Sequence, residues 1–456
     1  MKKVERKYEE VIETYGDMYE AEICKERQLP DYNDGMRIIQ RRLFWVFLSM
    51  SREKRIHLQK SASIIGDTLK LHAHGDSTSY GSLVAEVNAV ASLLKGKGNW
   101  GSKTSSVACR AAAMRYTECA MRPSAEDYFR YAQHSNMVTG EIGYPEPAFI
   151  PVPFPYALMN GFFGITKSGK CQIPSYNVHD LYERLLFLLG QKPEKIIKPY
   201  FGMTLKMDGE FQNLLTQGIG KVEVYPNLSI DEKNGIISIK EICPEITNLG
   251  SILESISSNE KYNKYISIKD VSGKKNDIIV TYATKYMKNV GVTFKQVVEF
   301  IKSKLTAKMS YNIMVYKGYK NYPVVSVDTW LLDNFARIKK YRKVELDKII
   351  LSLQDKLSLS EAILKARPLI QKWLNDHKKF TKEIIEKLKE AVNVLLGDSS
   401  LASKVMTISI TKLLETEIDI DSIKRDIKAN EALNTEENRA KDILQWLSEI
   451  KQEAPR

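Results

Sequence analysis

Residues 30–50 read PDYNDGMRIIQRRLFWVFLSM, and the organisation of the chain follows from how this stretch leaves one loop and enters one helix. Pro30, Asn33, Asp34 and Gly35 are turn formers. Ile38, Ile39, Leu43, Val46 and Phe47 then recur at helical spacing, which predicts a helix with one apolar side. Further on, Thr78–Leu94 predicts a second helix, opened by Ser/Thr caps and ended by the Gly96–Gly98 stretch. Between them lies KSASIIGDTLKLHAHGDS, residues 60–77. Two helices joined by a short connection inside a basic segment suggest a helix-turn-helix or winged-helix module.

The charge is concentrated in this region. The chain of 456 residues carries a net charge of +12. Between Arg37 and Pro123, fourteen Lys/Arg stand against five Asp/Glu, so nine of the twelve excess charges fall in 87 residues. A local basic excess is the footprint of a phosphate-backbone binder. A solvated basic surface explains charge alone equally well. With 43% hydrophobic and 27% charged residues, the chain reads as folded, and disordered, collagen-like and disulfide-scaffold classes are excluded. The longest apolar runs, Leu43–Leu48 and Leu185–Leu189, are far short of the roughly 20 residues that span a bilayer. MKKVERKYEE has no apolar segment behind its basic residues, so no secretory signal is expected. Cys24, Cys109, Cys119, Cys171 and Cys243 are scattered and lack CxxC spacing, which reads as reduced thiols of a cytoplasmic protein.

After Pro151, Pro153 and Pro155 the pattern changes to an α+β region. KVEVY (221–225), IISIKEI (236–242), YISIKDV (265–271) and DIIVTYA (277–283) read as strands. Lys233-Asn-Gly235 predicts a hairpin turn joining the first two. Beyond residue 331 no strand signal remains. Leu346, Ile350, Leu353 and Leu357 form one apolar seam, and Ile384, Leu388, Ala391 and Leu395 form another. Their spacing predicts an antiparallel pair of long helices, with Pro368 as a break or join.

Three motifs carry possible chemistry. Gly164-Ile-Thr-Lys-Ser-Gly-Lys-Cys171 nearly matches a phosphate-binding loop, which would make the chain a nucleotide hydrolase. Its final Cys cannot bind magnesium as a hydroxyl does, and no apolar strand precedes it. His72 and His74 form an HxH pair without further ligands nearby in sequence, so donation to phosphate is the better functional reading, beside that of two ordinary loop histidines. Arg115-Tyr116 lies among small residues in AAAMRYTE (111–118), where a backbone or DNA could approach closely.

Together these pieces resemble the breakage-reunion (A-type) subunits of type IIA DNA topoisomerases. The ordered motifs are LPDYNDGMRIIQRRL (29–43), KSASIIGD (60–67), LHAHGDSTSYGSLV (71–84), GNWGS (98–102) and AAMRYTE (112–118). EP (146–147), FPYALMNGFFGI (154–165) and IPSYN (173–177) follow. IISIKEICPE (236–245) looks like the family's tower segment, and KVMTISITKLLETEIDIDSIKRDI (404–427) like the end of its coiled coil. With no sign of a C-terminal DNA-wrapping domain, the layout looks most like the medium subunit of T-even-type phage topoisomerases.

The resemblance implies a multidomain α+β protein. A winged-helix breakage-reunion domain would occupy 1–130, an α/β tower 131–330, and a coiled coil ending in a helical C-gate 331–456. Tyr116 matches the nucleophile that forms a 5′-phosphotyrosyl bond, and Arg115 the arginine that stabilises the transition state. Arg41 and Arg42 match the arginine pair near the active site, with Arg41 the expected scissile-phosphate contact. Lys60, His72 and His74 match phosphate-binding positions, and Ile165 the wedge that enters between base pairs. Ser77 would remain a partial quinolone anchor, but Gly81 stands where the family often carries an acid, and Ser63 replaces a basic residue. The implied partners are double-stranded DNA, a second copy of the chain, and a large subunit with ATPase and TOPRIM domains. That larger chain would bind both ATP and Mg²⁺, and no metal site is expected on this one. If the protein is phage-encoded, it would work in the bacterial host cytoplasm. A non-catalytic DNA-binding protein of the same fold is the competing reading, against which the Arg115-Tyr116 pair argues.

Overall fold

The computed structural model describes residues 7–52, 57–101, 109–167, 169–246, 249–272, 278–282, 292–377, 381–415 and 417–453. Parts of four expected features, at Ser102, at Ser168, at Asp277 and Ala283, and at Thr416, lie outside this range, as do residues 378–380 between the two expected helical seams. Helix α1 (Tyr8–Ile23) runs into a π-helical turn at Cys24–Gln28, and α2 (Ile38–Arg52) follows the Pro30–Gly35 loop. The spacing predicts a helix apolar on one side. Instead α2 is buried on nearly every face: Phe44, Leu48 and Met50 are enclosed with Leu43, Val46 and Phe47, and so are Arg41 and Arg42.

Two further helices depart from expectation. Ser61–Leu69 is itself a helix, α3, and α4 is Asp76–Val87, ending well before Leu94. Long-range hydrogen bonds decide that end. The Ser92 hydroxyl donates to the Glu86 carbonyl at 2.8 Å, and the Ala91 N–H donates to Asn160 Oδ1 at 2.7 Å. Leu94 then enters a strand. Strands β1 (Gln59–Lys60), β2 (Leu94–Lys97) and β3 (Glu118–Met121) form an antiparallel sheet in the order β1-β3-β2. A hairpin of β4 (Met137–Thr139) and β5 (Pro145–Pro147) follows.

A five-stranded sheet comes next. It orders β6 (Phe162–Thr166), β7 (Gly169–Ile173), β14 (Ala307–Asn312), β9 (Ile219–Val224) and β8 (Met207–Gly209). The four-stranded sheet orders β10 (Asn227–Asp231), β11 (Ile236–Glu241), β13 (Ile278–Tyr282) and β12 (Ile266–Asp270). The Lys-Asn-Gly turn is a hairpin, with Gly235 at φ 64°, but it joins β10 to β11. KVEVY belongs to the other sheet. Pro226 interrupts the chain between them, and β10 is too polar and exposed to show alternation. On β11 and β13, Ile237, Ile239, Ile278 and Val280 are fully buried against the helices Leu249–Ser257 and Phe294–Leu305. Each contributes about 1.5–3 kcal/mol by leaving water.

The Gly164–Cys171 motif is the β6–β7 hairpin, with Ile165 opposite Lys170. A phosphate-binding loop leads from a strand into a helix N-terminus, and this segment does not. Gly164 serves packing: a Cβ there would lie 2.0 Å from the Gln28 carbonyl oxygen. Gly164→Ala is therefore expected to cost about 1–3 kcal/mol, read as a lower thermal midpoint, because backbone must move to admit it.

The chain divides into two compact units, 1–338 with 447–456, and 339–446. A 50-residue helix, Val327–Asp376, contains Pro368 without ending there. Proline removes one hydrogen bond and costs about 3 kcal/mol in a helix interior. Here Ala362, Ile363, Ala366 and Ile370 on both sides of it pack with Leu388, Val392, Ala402, Val405 and Leu413, which outweighs the loss. Within 339–446 the return path is several shorter helices and not one long partner. Lys424 pairs with Glu361 and Asn434 with Asp347, so the helix Ile420–Leu433 runs antiparallel to the long helix. Leu395, placed on the seam by spacing, is exposed, and Val392 is buried in its stead.

Candidate functional site

Tyr116 sits on a turn closed by its own N–H donating to the Ala113 carbonyl at 2.8 Å. The turn is pinned from two helices. At the start of α3, Ser61 N donates to the Thr117 carbonyl at 3.0 Å, and Ser61 Oγ lies 2.8 Å from Thr117 Oγ1. From α4, the Tyr80 hydroxyl donates to the Ala112 carbonyl at 2.6 Å and lies 2.9 Å from Thr117 Oγ1. Thr117 is buried under this network, whereas the neighbouring Tyr116 is 64% exposed. Its hydroxyl has no hydrogen-bond partner among the described residues. The Arg115 guanidinium stands 4.7 Å from the Tyr116 ring centre. A rigid mount thus presents a phenol and a cation to solvent. Lys60 is close by along β1, paired with Glu118 at 2.7 Å, and Lys97 shares that carboxylate at 3.4 Å.

The arginine pair is enclosed and paired. Arg41, expected at the scissile phosphate, is buried: its Nε donates to Asp34 Oδ2 at 2.7 Å, and its Nη2 lies 3.1 Å from Asp31 Oδ2. Asp34 also accepts from the N–H groups of Met36 and Ile150. Burial lifts the Asp31 carboxyl above its usual range, against the pull of Arg41. A guanidinium out of water must be paired, so Arg41 ties the Pro30–Gly35 loop to α2 and presents no free charge to a ligand. Arg42 is buried too, on Glu146, Glu141 and His72. A basic count along the sequence therefore overstates the basic surface.

His72 and His74 lie in the turn between α3 and α4, with rings 4.5 Å apart and nearly perpendicular. His72 is enclosed; His74 is half-exposed, with Arg27 Nη2 3.2 Å from its ring nitrogens. Ser77 is exposed in the first turn of α4. Ile165 projects from β6 at 61% exposure. Its hairpin is held by Arg37, which donates to the Arg27 and Phe163 carbonyls.

Arg27, Arg37 and Glu26 are site residues that sequence reading missed. Glu26 had no signal, since it meets the histidines from 46 residues upstream. Glu26, His72 and His74 bring possible ligand atoms within 4.8 Å of one another, the one such grouping among the described residues. Two imidazoles do not suit Mg²⁺, which takes oxygen ligands, and Arg42 and Arg27 stand against the two rings. The trio is read as part of an anion-facing cluster. Among the described residues, no helix is long and apolar enough to cross a membrane.

Residues 27–451 match the family model for the A subunits of DNA gyrase and topoisomerase IV. Over 273 residues the chain is 30% identical to the DNA gyrase A subunit of Aminobacterium colombiense, covering 55% of this chain and 33% of that protein. It is 30% identical over 232 residues to the DNA topoisomerase 4 A subunit of Neisseria gonorrhoeae, covering 47% and 30%. The gyrase A subunit of one Helicobacter pylori strain is 26% identical over 344 residues, covering 71% and 40%. The chain thus spans about a third of the length of the relatives it matches.

Proposed function

The chain belongs to the family of DNA gyrase and topoisomerase IV A subunits, and from that premise we propose that it is the DNA-cleaving and rejoining subunit of an ATP-dependent type II topoisomerase. The carrying observation is Tyr116, exposed beside Arg115 on a turn fixed by Ser61 and Tyr80. The Tyr116 oxygen attacks a DNA phosphorus. The 3′-oxygen leaves with a proton, and a 5′-phosphotyrosyl ester remains. One ester replaces another, so the bond is kept for resealing and the exchange itself needs no ATP. A phenol is a weak nucleophile until it loses its proton, so attack near neutrality needs assistance. Arg115, beside it, stabilises the negative charge that develops on the phosphoryl oxygens. Phosphate contacts fall to Arg27, Lys60, His72 and His74, with Arg41 and Arg42 acting from behind as supports. Ser77 and the exposed Ile165 complete the DNA face, Ile165 as a wedge between base pairs.

Helices α3 and α4 with the β1-β3-β2 sheet act as the winged-helix module of 1–130. The 131–330 region acts as tower, and the helical 331–456 region as coiled coil and C-gate. Cutting both strands takes two Tyr116 residues, hence a homodimer through which a second duplex passes, relaxing or decatenating DNA. A large subunit brings ATPase and TOPRIM domains with ATP, and Mg²⁺ held there supplies electrostatic help at the phosphate. Its docking is supported by α1, where Tyr8, Ile12, Tyr15 and Tyr19 form an exposed apolar stripe. Ile12→Glu is expected to weaken large-subunit binding by about tenfold or more in a pull-down titration, with the fold unchanged. A layout like that of a T-even-type phage medium subunit is the reading proposed for the chain, which would place it in a bacterial host cytoplasm.

The test is covalent capture. Wild-type chain, large subunit, Mg²⁺ and duplex DNA, quenched with denaturant, should yield protein-linked DNA. A preparation that binds DNA and its partner but never yields the linked species would reduce the chain to a DNA-binding scaffold.

A further inference from the structure

Glu146 on β5, Arg42 on α2 and His72 before α4 form one buried line. Arg42 is 2% exposed and His72 5% exposed. Arg42 Nε donates to Glu146 Oε2 at 2.7 Å, and its Nη2 donates to Glu146 Oε1 at 2.9 Å. This two-pronged contact fixes the guanidinium plane. The remaining nitrogen, Nη1, then lies 2.7 Å from His72 Nδ1. Arginine is always a donor and never an acceptor. His72 Nδ1 must therefore accept, and the ring's single proton must sit on Nε2. A second proton on Nδ1 would set N–H against N–H and bury two adjacent cations.

We infer that Glu146, acting through Arg42, locks His72 as a neutral imidazole that can only donate from Nε2. In the proposed cleavage reaction, on which this consequence rests, His72 is then a phosphate donor and not the base that takes the Tyr116 proton. Glu146 and Arg42 are positioning residues.

The surroundings agree. Burial, with Arg42, His74 and Arg27, pushes His72 down to about 4. Arg42 faces it from α2, Arg27 and Glu26 from the π-helical turn, Glu141 and Glu146 from the β4–β5 hairpin, and His74 from its own turn. Of the carboxylates, Glu141 and Glu146 are paired to Arg42, while Glu26 Oε2 has no hydrogen-bond partner among the described residues, and none of the three hydrogen-bonds the His72 ring there.

The test is a long-range ¹H–¹⁵N spectrum of the full chain labelled at histidine, with the His72 signals assigned by their loss in His72→Gln. The wild type should show a proton on Nε2 and a bare Nδ1 from about pH 8 down to about pH 5, well below the ordinary midpoint of about 6.5. In Glu146→Gln and Arg42→Lys, shown folded by circular dichroism, the tautomers should mix and His72 should titrate nearer the ordinary value. Lysine cannot reach both partners at once. A wild-type His72 that takes a second proton between about pH 6 and 7, or that carries its proton on Nδ1, overturns the lock. A lock that survives Glu146→Gln overturns the part given to Glu146. This spectrum needs neither DNA nor partner, so it stands or falls separately from cleavage. With DNA, Mg²⁺ and the large subunit, single-turnover cleavage by the wild type should show no inflection from His72 in that range. Cleavage that fails altogether beside an intact lock counts against the cleavage reading alone.

Discussion

Tyr116→Phe is expected to abolish covalent capture of DNA, by about 10⁴-fold or more, and to leave stability within about 0.5 kcal/mol of wild type. The two halves come from one observation. The Tyr116 hydroxyl makes no hydrogen bond among the described residues and the side chain is 64% exposed, so removing the oxygen breaks nothing structural. The ring stays under Arg115, 4.7 Å away, since a cation–π contact needs only the ring. Chemistry, in contrast, loses the proposed nucleophile outright. The measurement is denaturant-trapped DNA, beside a thermal melt and a DNA-binding curve. Normal melting and binding with no trapped DNA is the expected result. Trapped DNA at wild-type levels in Tyr116→Phe would move the nucleophile elsewhere. Absence of trapping in both proteins, with equal DNA affinity, would favour a non-catalytic DNA-binding protein of the same fold.

Asp34→Asn is expected to destabilise the 1–338 region by about 3–5 kcal/mol, the cost of breaking one side of a buried ion pair. Asp34 is 0% exposed and gathers Arg41, Met36 N–H and Ile150 N–H. Asparagine keeps the shape and loses the charge, which leaves Arg41 with Asp31 alone, 3.1 Å away. In a unit of this size each kcal/mol moves the melting midpoint by roughly 2 °C, so a fall of about 6–10 °C is predicted. The outcome separates two roles for Arg41. If it were held ready for DNA, Asp34→Asn would release it, melt near wild type and bind DNA more tightly. If it is a loop anchor, the protein melts early and DNA affinity falls only as the fold loosens.

Much of the candidate site was legible in the sequence because its parts are local. Arg115 and Tyr116 are neighbours, His72 and His74 are two apart, and Ile165 follows its glycine. The strands of the four-stranded sheet showed where alternation was strong, in 236–242 and 265–271, and were missed where β10 is polar. Sheet membership was misread for KVEVY because alternation reports a strand and not its neighbour. Pro368 was misread because a helix-breaking cost is local, whereas the core formed with Leu388, Val392 and Leu413 is not.

The order of residues was thus enough to single out Tyr116 as the proposed nucleophile with its flanking arginine, and to show the helical character of 331–456. Tertiary structure alone decided which cations face water. Arg41 and Arg42 look alike in sequence, yet each is consumed by a different set of carboxylates, one of them 104 residues away. It also brought Arg27 to His74 across 47 residues and placed Glu26 beside both imidazoles. The physical reason is that charge and hydrogen-bonding capacity are written in each residue, but burial, and therefore the partner a buried charge must find, is settled only when distant segments pack.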